Sequence, residues 1–320
     1  MITIRPFEPA DAEYEAFVAL QLAVWPEYRD TVDEWKHRDR TRDASVFFER
    51  YVVERQGELV ASGLCCEPWW SLKPGKYYVN VDVHPEHRRQ GIGTSLYDYL
   101  VDRLSEYKPT KLVSHTQEDR ADGIRFLEKR GFQQVMRYPV SHLDVQGFDP
   151  KRYASKLARV EESGIDILPL SKVAEADGGW KRKLWDLEWE LVQDVPSPDP
   201  LTRQSFELFQ ERVLGYPGFD ADAWFIALAD DQWVGMSNLW IPQGDPEKLY
   251  TGLTGVVRSH RRRGVATAMK VRGIEFARQW GARIIETDNE ENNPMFFLNL
   301  DLGFEPQPAM LDFEKEIKKG

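Results

Sequence analysis

The sequence predicts a mixed α/β (α+β) fold, a mixed sheet with helices on both faces, and predicts it twice in one chain. Three observations carry this. Segments of strand and helix character follow one another in the order βααβββαβαβ through the first half, and the pattern begins again in the second. A short turn of arginine and small residues joins a strand to a helix in both halves, at Arg88-Arg89-Gln90-Gly91-Ile92-Gly93 and at Arg261-Arg262-Arg263-Gly264-Val265-Ala266. Arg88 and Arg261, Gly91 and Gly264, and Gly93 and Ala266 lie 173 residues apart, and Gly131-Phe132 and Gly303-Phe304 lie 172 apart. The domains expected are 1–145 and 164–320, with 146–163 as a connector.

Taken in order, residues 1–7 alternate as a strand, and Asp11 is placed to cap a helix from Ala12 to Val24, which Pro26 ends. A second helix is expected at Val32–Arg40. Strands follow at Val46–Arg55 and Leu59–Leu64, joined at Gln56-Gly57-Glu58, a hairpin signal. Tyr77, Val79, Val81 and Val83 alternate with polar partners and lead into the first turn. The helix after it carries Ile92, Leu96, Leu100 and Leu104 at four-residue spacing, a core stripe. Lys111–His115 reads as a strand, Asp119–Lys129 as a helix, and Gly131-Phe132 opens a return strand. In the second half the expectations are a strand at Ile165–Leu170, a tryptophan-rich helix at Ala174–Leu191 and a helix at Leu201–Val213. Two strands flank Asp230-Asp231 and a third leads into the second turn. The helix that follows is lined by Val265, Met269, Phe276 and Trp280, and a strand (Arg283–Thr287), a helix (Asn293–Leu302) and a last strand complete the copy.

The 320 residues suffice for two domains, and 42% hydrophobic with 30% charged residues is the composition of a soluble globular protein. A net charge of −11 argues against a nucleic-acid partner. No apolar run reaches the length of a membrane helix and no secretory signal is visible, so a cytoplasmic protein without a membrane partner is expected. The two cysteines, Cys65 and Cys66, are adjacent in a strand, a poor geometry for a disulfide, and no His/Cys spacing suits zinc.

The strand–turn–helix is where the chemistry is expected. Small residues let the backbone approach a ligand, and successive N–H groups at a helix N-terminus wrap an anion such as a pyrophosphate. Arginines beside the turn add charge for further phosphates. Other phosphate loops do not fit: Gly-Lys-Ser/Thr is missing, and Gly91-Ile92-Gly93-Thr94-Ser95-Leu96 lacks the third glycine of a dinucleotide fingerprint.

With these motifs both halves resemble the GNAT superfamily of acyl-CoA-dependent N-acyltransferases, in its tandem-domain form. Two tandem GNAT-like acyltransferase domains are therefore expected. The resemblance implies that the turn binds the pyrophosphate of coenzyme A, and that the preceding strand splays from its neighbour with the pantetheine arm along it. Acetyl-CoA is the implied cofactor and a primary amine of a small molecule or peptide the implied acceptor, attacked directly. Cofactor contacts are implied at Val83, Arg88, Arg89, Gln90, Gly91, Ile92 and Gly93. In the second copy they are implied at Val256, Val257, Arg261, Arg262, Arg263, Gly264, Val265 and Ala266.

Downstream of the second turn, Thr287-Asp288-Asn289, Asn293-Pro294-Met295, Asn299 and Leu302-Gly303-Phe304 keep more of the family pattern, and Asn289 and Asn293 are its implied cofactor contacts. The first half has Gln117 and Ala121 there, so the C-terminal half is expected to be the main catalyst and the N-terminal site the less complete one. Relatives carry a proton-donating tyrosine four residues before the glycine of Gly-Phe, where this chain has Leu127 and Asn299. Leucine donates nothing and asparagine only a hydrogen bond. Candidates for the general base are Asp82, whose counterpart is Gly255, and Glu286, with His84 and His115 as further ones. For the acceptor site of the second half, Trp185, Trp189 and Asp194 are the candidates, with Asp194 receiving a cationic amine. The absent tyrosine leaves one alternative, a non-catalytic acyl-CoA-binding pseudoenzyme or sensor.

Overall fold

The computed structural model describes residues 2–317. The elements are β1 (Thr3–Pro6), α1 (Asp11–Val24), α2 (Val32–Arg40), β2 (Phe48–Arg55), β3 (Glu58–Cys66), β4 (Lys76–Val83), α3 (Ile92–Ser105), β5 (Lys111–Gln117), α4 (Ala121–Glu128) and β6 (Gln133–Asp144). Then come α5 (Ala154–Glu162), β7 (Ile165–Pro169), α6 (Leu170–Ala176), α7 (Trp180–Val192), α8 (Phe206–Phe209), β8 (Trp224–Ala229), β9 (Gln232–Trp240), β10 (Lys248–Val256), α9 (Val265–Trp280), β11 (Ile284–Asp288), α10 (Pro294–Asp301) and β12 (Glu305–Glu316).

The chain divides into two compact units that do not follow the two sequence halves. One comprises Met1–Arg137, Pro198–Thr202 and Met310–Gly320, the other Tyr138–Ser197 and Arg203–Ala309. The cause is the closing strand of each half. From Met310 onward β12 pairs antiparallel with β5, Met310 opposite Gln117 through Glu316 opposite Lys111. The later part of β6 pairs with β11, Val140 opposite Asp288 through Asp144 opposite Ile284. The sequence shows each closing strand but not the sheet it joins. The segment 198–202 lies in the first unit because Asp199 accepts from the buried Lys76 (2.8 Å) and from Lys73 (3.0 Å).

In the first unit the strand order is β1-β2-β3-β4-β5-β12. Strands β1 to β4 are antiparallel neighbours, and β4 runs parallel to β5. The expected stripe on α3 is its core face: Leu96, Leu100 and Leu104 are fully buried. Cys65 and Cys66 are buried free thiols, both pushed up to about 12 by burial, which keeps them protonated and unreactive. The second unit has the order β6-β11-β10-β9-β8-β7, with β10 parallel to β11. Its core gathers Leu184, Leu187 and Leu191 of α7 against β8–β10 and α9.

Local differences from expectation have local reasons. Asp11 is the first residue of α1 rather than its cap; Ala10 occupies that position without a side-chain bond. The expected helix Ala174–Leu191 is two helices, interrupted at Gly178-Gly179, where helical backbone is least favourable. The expected helix Leu201–Val213 begins only at Phe206, with Ser205 as its cap. Trp280 is nearly half exposed, stacked on Phe276 with its indole N–H on the Pro246 carbonyl. No helix among the described residues is long and apolar enough to cross a membrane.

Candidate active site

The two turns have one backbone conformation. Arg89 and Arg262 both have φ near 62°, and Gly91 and Gly264 have φ of 84° and 87°. The first residue of each turn ties it to the strand end: Arg88 Nε donates to the Val83 carbonyl (3.1 Å) and Arg261 Nε to the Val256 carbonyl (2.8 Å). Gly91 and Gly264 stand as N-caps of α3 and α9, so the first-turn N–H groups of both helices, which have no intrahelical acceptor, face outward at the turn. A side chain at Gly93 would put its Cβ 3.3 Å from Val83, so the glycine keeps this approach narrow.

Both strand pairs open as the family resemblance implies. β4 and β5 pair only from Lys76–Lys111 to Tyr78–Val113, and β10 and β11 only from Lys248–Ile284 to Tyr250–Glu286. Beyond those points the parallel strands have no further ladder pairs.

In the first unit the opening forms a groove of about 740 Å³. It is walled by Val81, Asp82 and Val83 of β4, by the turn at Arg88, Arg89, Gly91 and Gly93, and by α4 through Arg125 and Phe126. Gln90 and Ile92 fall outside it: Gln90 bonds Arg55 and the Glu86 carbonyl, and Ile92 is core. Ala121, where the second half has an asparagine, lines the groove, as does Thr94. The first-turn N–H groups and the surrounding cations Arg88, Arg89, Lys129 and Arg130 suit the pyrophosphate and phosphate of a coenzyme A. The residues present therefore fit the group the family uses.

Asp82 lines both this groove and a smaller cavity of about 70 Å³, and a further cavity of about 200 Å³ lies on the other side of Trp25. Trp25 lines all three. The Asp82 carboxylate accepts from Trp25 Nε1 (3.0 Å), Asn80 Nδ2 (2.8 Å) and, more weakly, Gln21 Nε2 (3.4 Å). Burial pushes its pKa above the ordinary aspartate value, against the lowering effect of those donors and of Arg120. A carboxylate tuned upward beside a cleft is suited to take a proton. The 200 Å³ cavity is walled by Trp25 and Tyr28 of the segment after α1, by Trp35 and Arg38 of α2 and by His115. Burial lowers His115 to about 4, so it is neutral, and it is bonded to the Tyr78 hydroxyl at 2.9 Å. His84 accepts from the Glu86 backbone N–H at the exposed turn.

In the second unit the expected site residues have structural partners. Asp194 does not await an amine: it pairs with Arg258 (2.6 Å) and with Arg261, and these hydrogen bonds hold it down to about 2. Glu286 accepts from His142 and Lys248, both at 2.6 Å. Burial alone would raise its pKa, but the His142 bond and the Lys248 charge outweigh it and hold it below the usual glutamate value, which disfavours a base. Asn299 is fully buried and donates to Asn289 Oδ1 (2.6 Å), so it is a scaffold group rather than an acid. Asn293 caps α10 through the Met295 N–H (2.9 Å). Trp185 donates to the Gln204 carbonyl and carries Arg203 3.3 Å above its ring, and Trp189 is half-buried beside them.

Val256 and Val265 are buried in a cluster with Val160, against which Val257 and Ala266 pack. Arg262 and Arg263 are exposed at the turn, Arg263 donating to the Ser259 carbonyl. Gly255, where an added Cβ would lie 3.0 Å from Leu191, leaves this position of the strand without a carboxylate. Sequence reading passes over Glu188, one turn before Leu191 on α7, which burial pushes up to about 7. Only its place on a helix facing a glycine strand could have flagged it. It likewise passes over Trp25, whose signal was an indole just before Pro26 at the end of α1.

Comparisons with known proteins agree with this geometry. The model of the acetyltransferase (GNAT) family matches residues 11–132 and again 183–301. Among solved structures, a tandem GNAT protein from the clavulanic acid biosynthesis pathway superposes with a TM-score of 0.77 at 19% identity, over 100% of both chains. A GCN5-related N-acetyltransferase from Sphaerobacter thermophilus gives 0.69 at 20% identity, over 100% of this chain and 96% of that one. Among curated proteins none matches. With two matches that together span most of its length, two splayed strand pairs and two turns of one conformation, the chain belongs to the GNAT family of acetyltransferases and is a tandem-domain member of it.

Proposed function

We propose that the protein transfers an acetyl group from acetyl-CoA to a primary amine of a small molecule or peptide, and that the N-terminal groove is where it does so. The observation that carries this is Asp82, a buried carboxylate with an upward-shifted pKa on the wall of a groove that begins at the Arg88–Gly93 turn. Bound acetyl-CoA supplies an acyl carbon activated by a good leaving group. The turn N–H groups and neighbouring cations hold its phosphates, and β4, freed from β5, offers backbone to the pantetheine arm. Asp82 receives the proton that the attacking amine gives up, while Trp25 and Asn80 orient the carboxylate. The tandem GNAT relative is described in a form without AcCoA, which is consistent with that cofactor for this fold.

This reading moves the expected main site from the C-terminal to the N-terminal half. The asparagines that favoured the C-terminal half have internal partners, and the second turn already holds an anion, the Asp194 carboxylate. A steady-state assay of CoA release with a panel of primary amines tests the reading. Turnover on at least one amine is expected. Tight acetyl-CoA binding without turnover on any would replace it with the non-catalytic sensor, the reading that the missing tyrosine favours.

A further inference from the structure

We infer that the Tyr97 hydroxyl is the hydrogen-bond donor that stabilises the departing sulfur, a task that Leu127 cannot perform in this half. The inference rests on the acetyl-transfer reading above and assigns one residue within it.

Tyr97 projects from α3 into the 70 Å³ cavity that Asp82, His115, Thr116 and Leu127 also line. That cavity opens from the splay of β4 and β5 and shares Val81, Asp82, Thr116 and Phe126 with the groove. Of the side chains lining it, Tyr97 holds the one buried polar atom with no hydrogen-bond partner among the described residues. A buried hydroxyl left without a partner is costly, so it is a donor open to a partner from outside the chain. The other nearby phenol, Tyr78, is already bonded to His115.

Packing fixes the ring in place. It meets Phe126 edge-on at 5.9 Å and Phe132 at 6.3 Å, and the Arg130 guanidinium lies 4.8 Å from its centroid. The same helix position in the second half is Lys270, buried and near Phe304 as Tyr97 is near Phe132. Both halves therefore lack an acid on the fourth helix of the family pattern, and both carry a donor on the helix that follows the turn.

The role is donation of a hydrogen bond, not transfer of the phenolic proton. Burial keeps the Tyr97 phenol up at about 12, above the roughly 8.5 of an ordinary thiol, so complete transfer to sulfur runs uphill. In the balanced step the amine nitrogen bonds to the acyl carbon and gives its proton to Asp82. The carbon–sulfur bond breaks with its electron pair on sulfur. The Tyr97 O–H steadies that anion, and water carries the proton from Asp82 to it.

The test uses Tyr97→Phe, which removes a hydroxyl that has no internal bond and so is expected to keep its melting temperature. A donor that favours the thiolate makes CoA bind more tightly as pH rises from 7 to 9. Calorimetry on the full chain should show that tightening in the wild type, and neither in Tyr97→Phe nor with desulfo-CoA as ligand. The kcat should fall about 100-fold with KM for acetyl-CoA little changed, the range for loss of a single charge-stabilising donor. Persistence of the pH-dependent CoA affinity in Tyr97→Phe, or a kcat within twofold of wild type, overturns the inference. The binding readout needs no turnover: an inactive chain that still shows the Tyr97-dependent tightening removes the acetyltransferase reading and leaves Tyr97 standing, and one that binds no CoA removes both.

Discussion

Lys270→Met offers a quantitative check on the buried ionisable position of α9. The Lys270 ammonium sits in the second unit with its nitrogen 5.5 Å from the Phe304 ring centroid, and no carboxylate among the described residues offsets its burial. Burial lowers its pKa from 10.5 to about 7. The folded state therefore binds fewer protons than the unfolded state between pH 7 and 10.5, and stability rises with pH across that window. At about 1.4 kcal/mol per pKa unit, the penalty is roughly 4 kcal/mol at pH 7 and shrinks to about 1 kcal/mol at pH 10. Methionine keeps much of the volume and removes the charge, so Lys270→Met should be more stable than wild type at pH 7 by up to that amount. Urea denaturation of both proteins at pH 7 and pH 10 reads the difference. A gap of constant size across the two pH values, or a less stable variant at pH 7, would refute the reasoning.

Three further outcomes follow from the site. Gly91→Val strains a backbone at φ 84° and sets a side chain on the turn where the cofactor phosphates are proposed to lie, so acetyl-CoA binding and turnover should both be lost, whereas Gly264→Val should leave turnover close to wild type; the reverse pattern in paired calorimetry and CoA-release assays would return catalysis to the C-terminal half. Asp194→Asn frees Arg258 and Arg261, and the number of acetyl-CoA molecules bound per chain should rise from one to two; two in the wild type, or one in the variant, would mean that Asp194 does not occupy the second turn. Because those arginines hold Asp194 down at about 2, the pairing is present at every pH above the ordinary aspartate range and fades only as pH falls toward 2. Asp82→Asn should lower kcat about 100-fold and abolish the acid limb of the pH–rate profile, which in the wild type falls as pH drops through the raised Asp82 pKa.

Local pattern carried much of the fold. The α3 stripe Ile92, Leu96, Leu100 and Leu104 is a core face because apolar residues four apart share one side of a helix. The turn was legible because glycine most readily accepts the φ of 84° and 87° at Gly91 and Gly264, and duplication at a fixed offset separated it from chance. The interruption at Gly178-Gly179 was visible in the residues yet outweighed by the tryptophan periodicity around it. The partners of the candidate residues were not legible. Asp194 lies 64 residues from Arg258, and Glu286 lies 144 from His142, so nothing in local spacing shows that these carboxylates are already bound.

By itself the sequence determined that the chain is a duplicated strand–turn–helix protein with a place for an anion in each copy, since turn chemistry and periodicity are properties of adjacent residues. Tertiary structure decided which carboxylate is buried and shifted upward, which asparagines serve as caps, and which hydroxyl is left without a partner. Those are outcomes of desolvation and of contacts between segments distant in sequence. They make Asp82 the carboxylate that suits the proposed base, pair Glu286 against that role and Asp194 against receiving an amine, and leave the Tyr97 hydroxyl open for the proposed role at the sulfur.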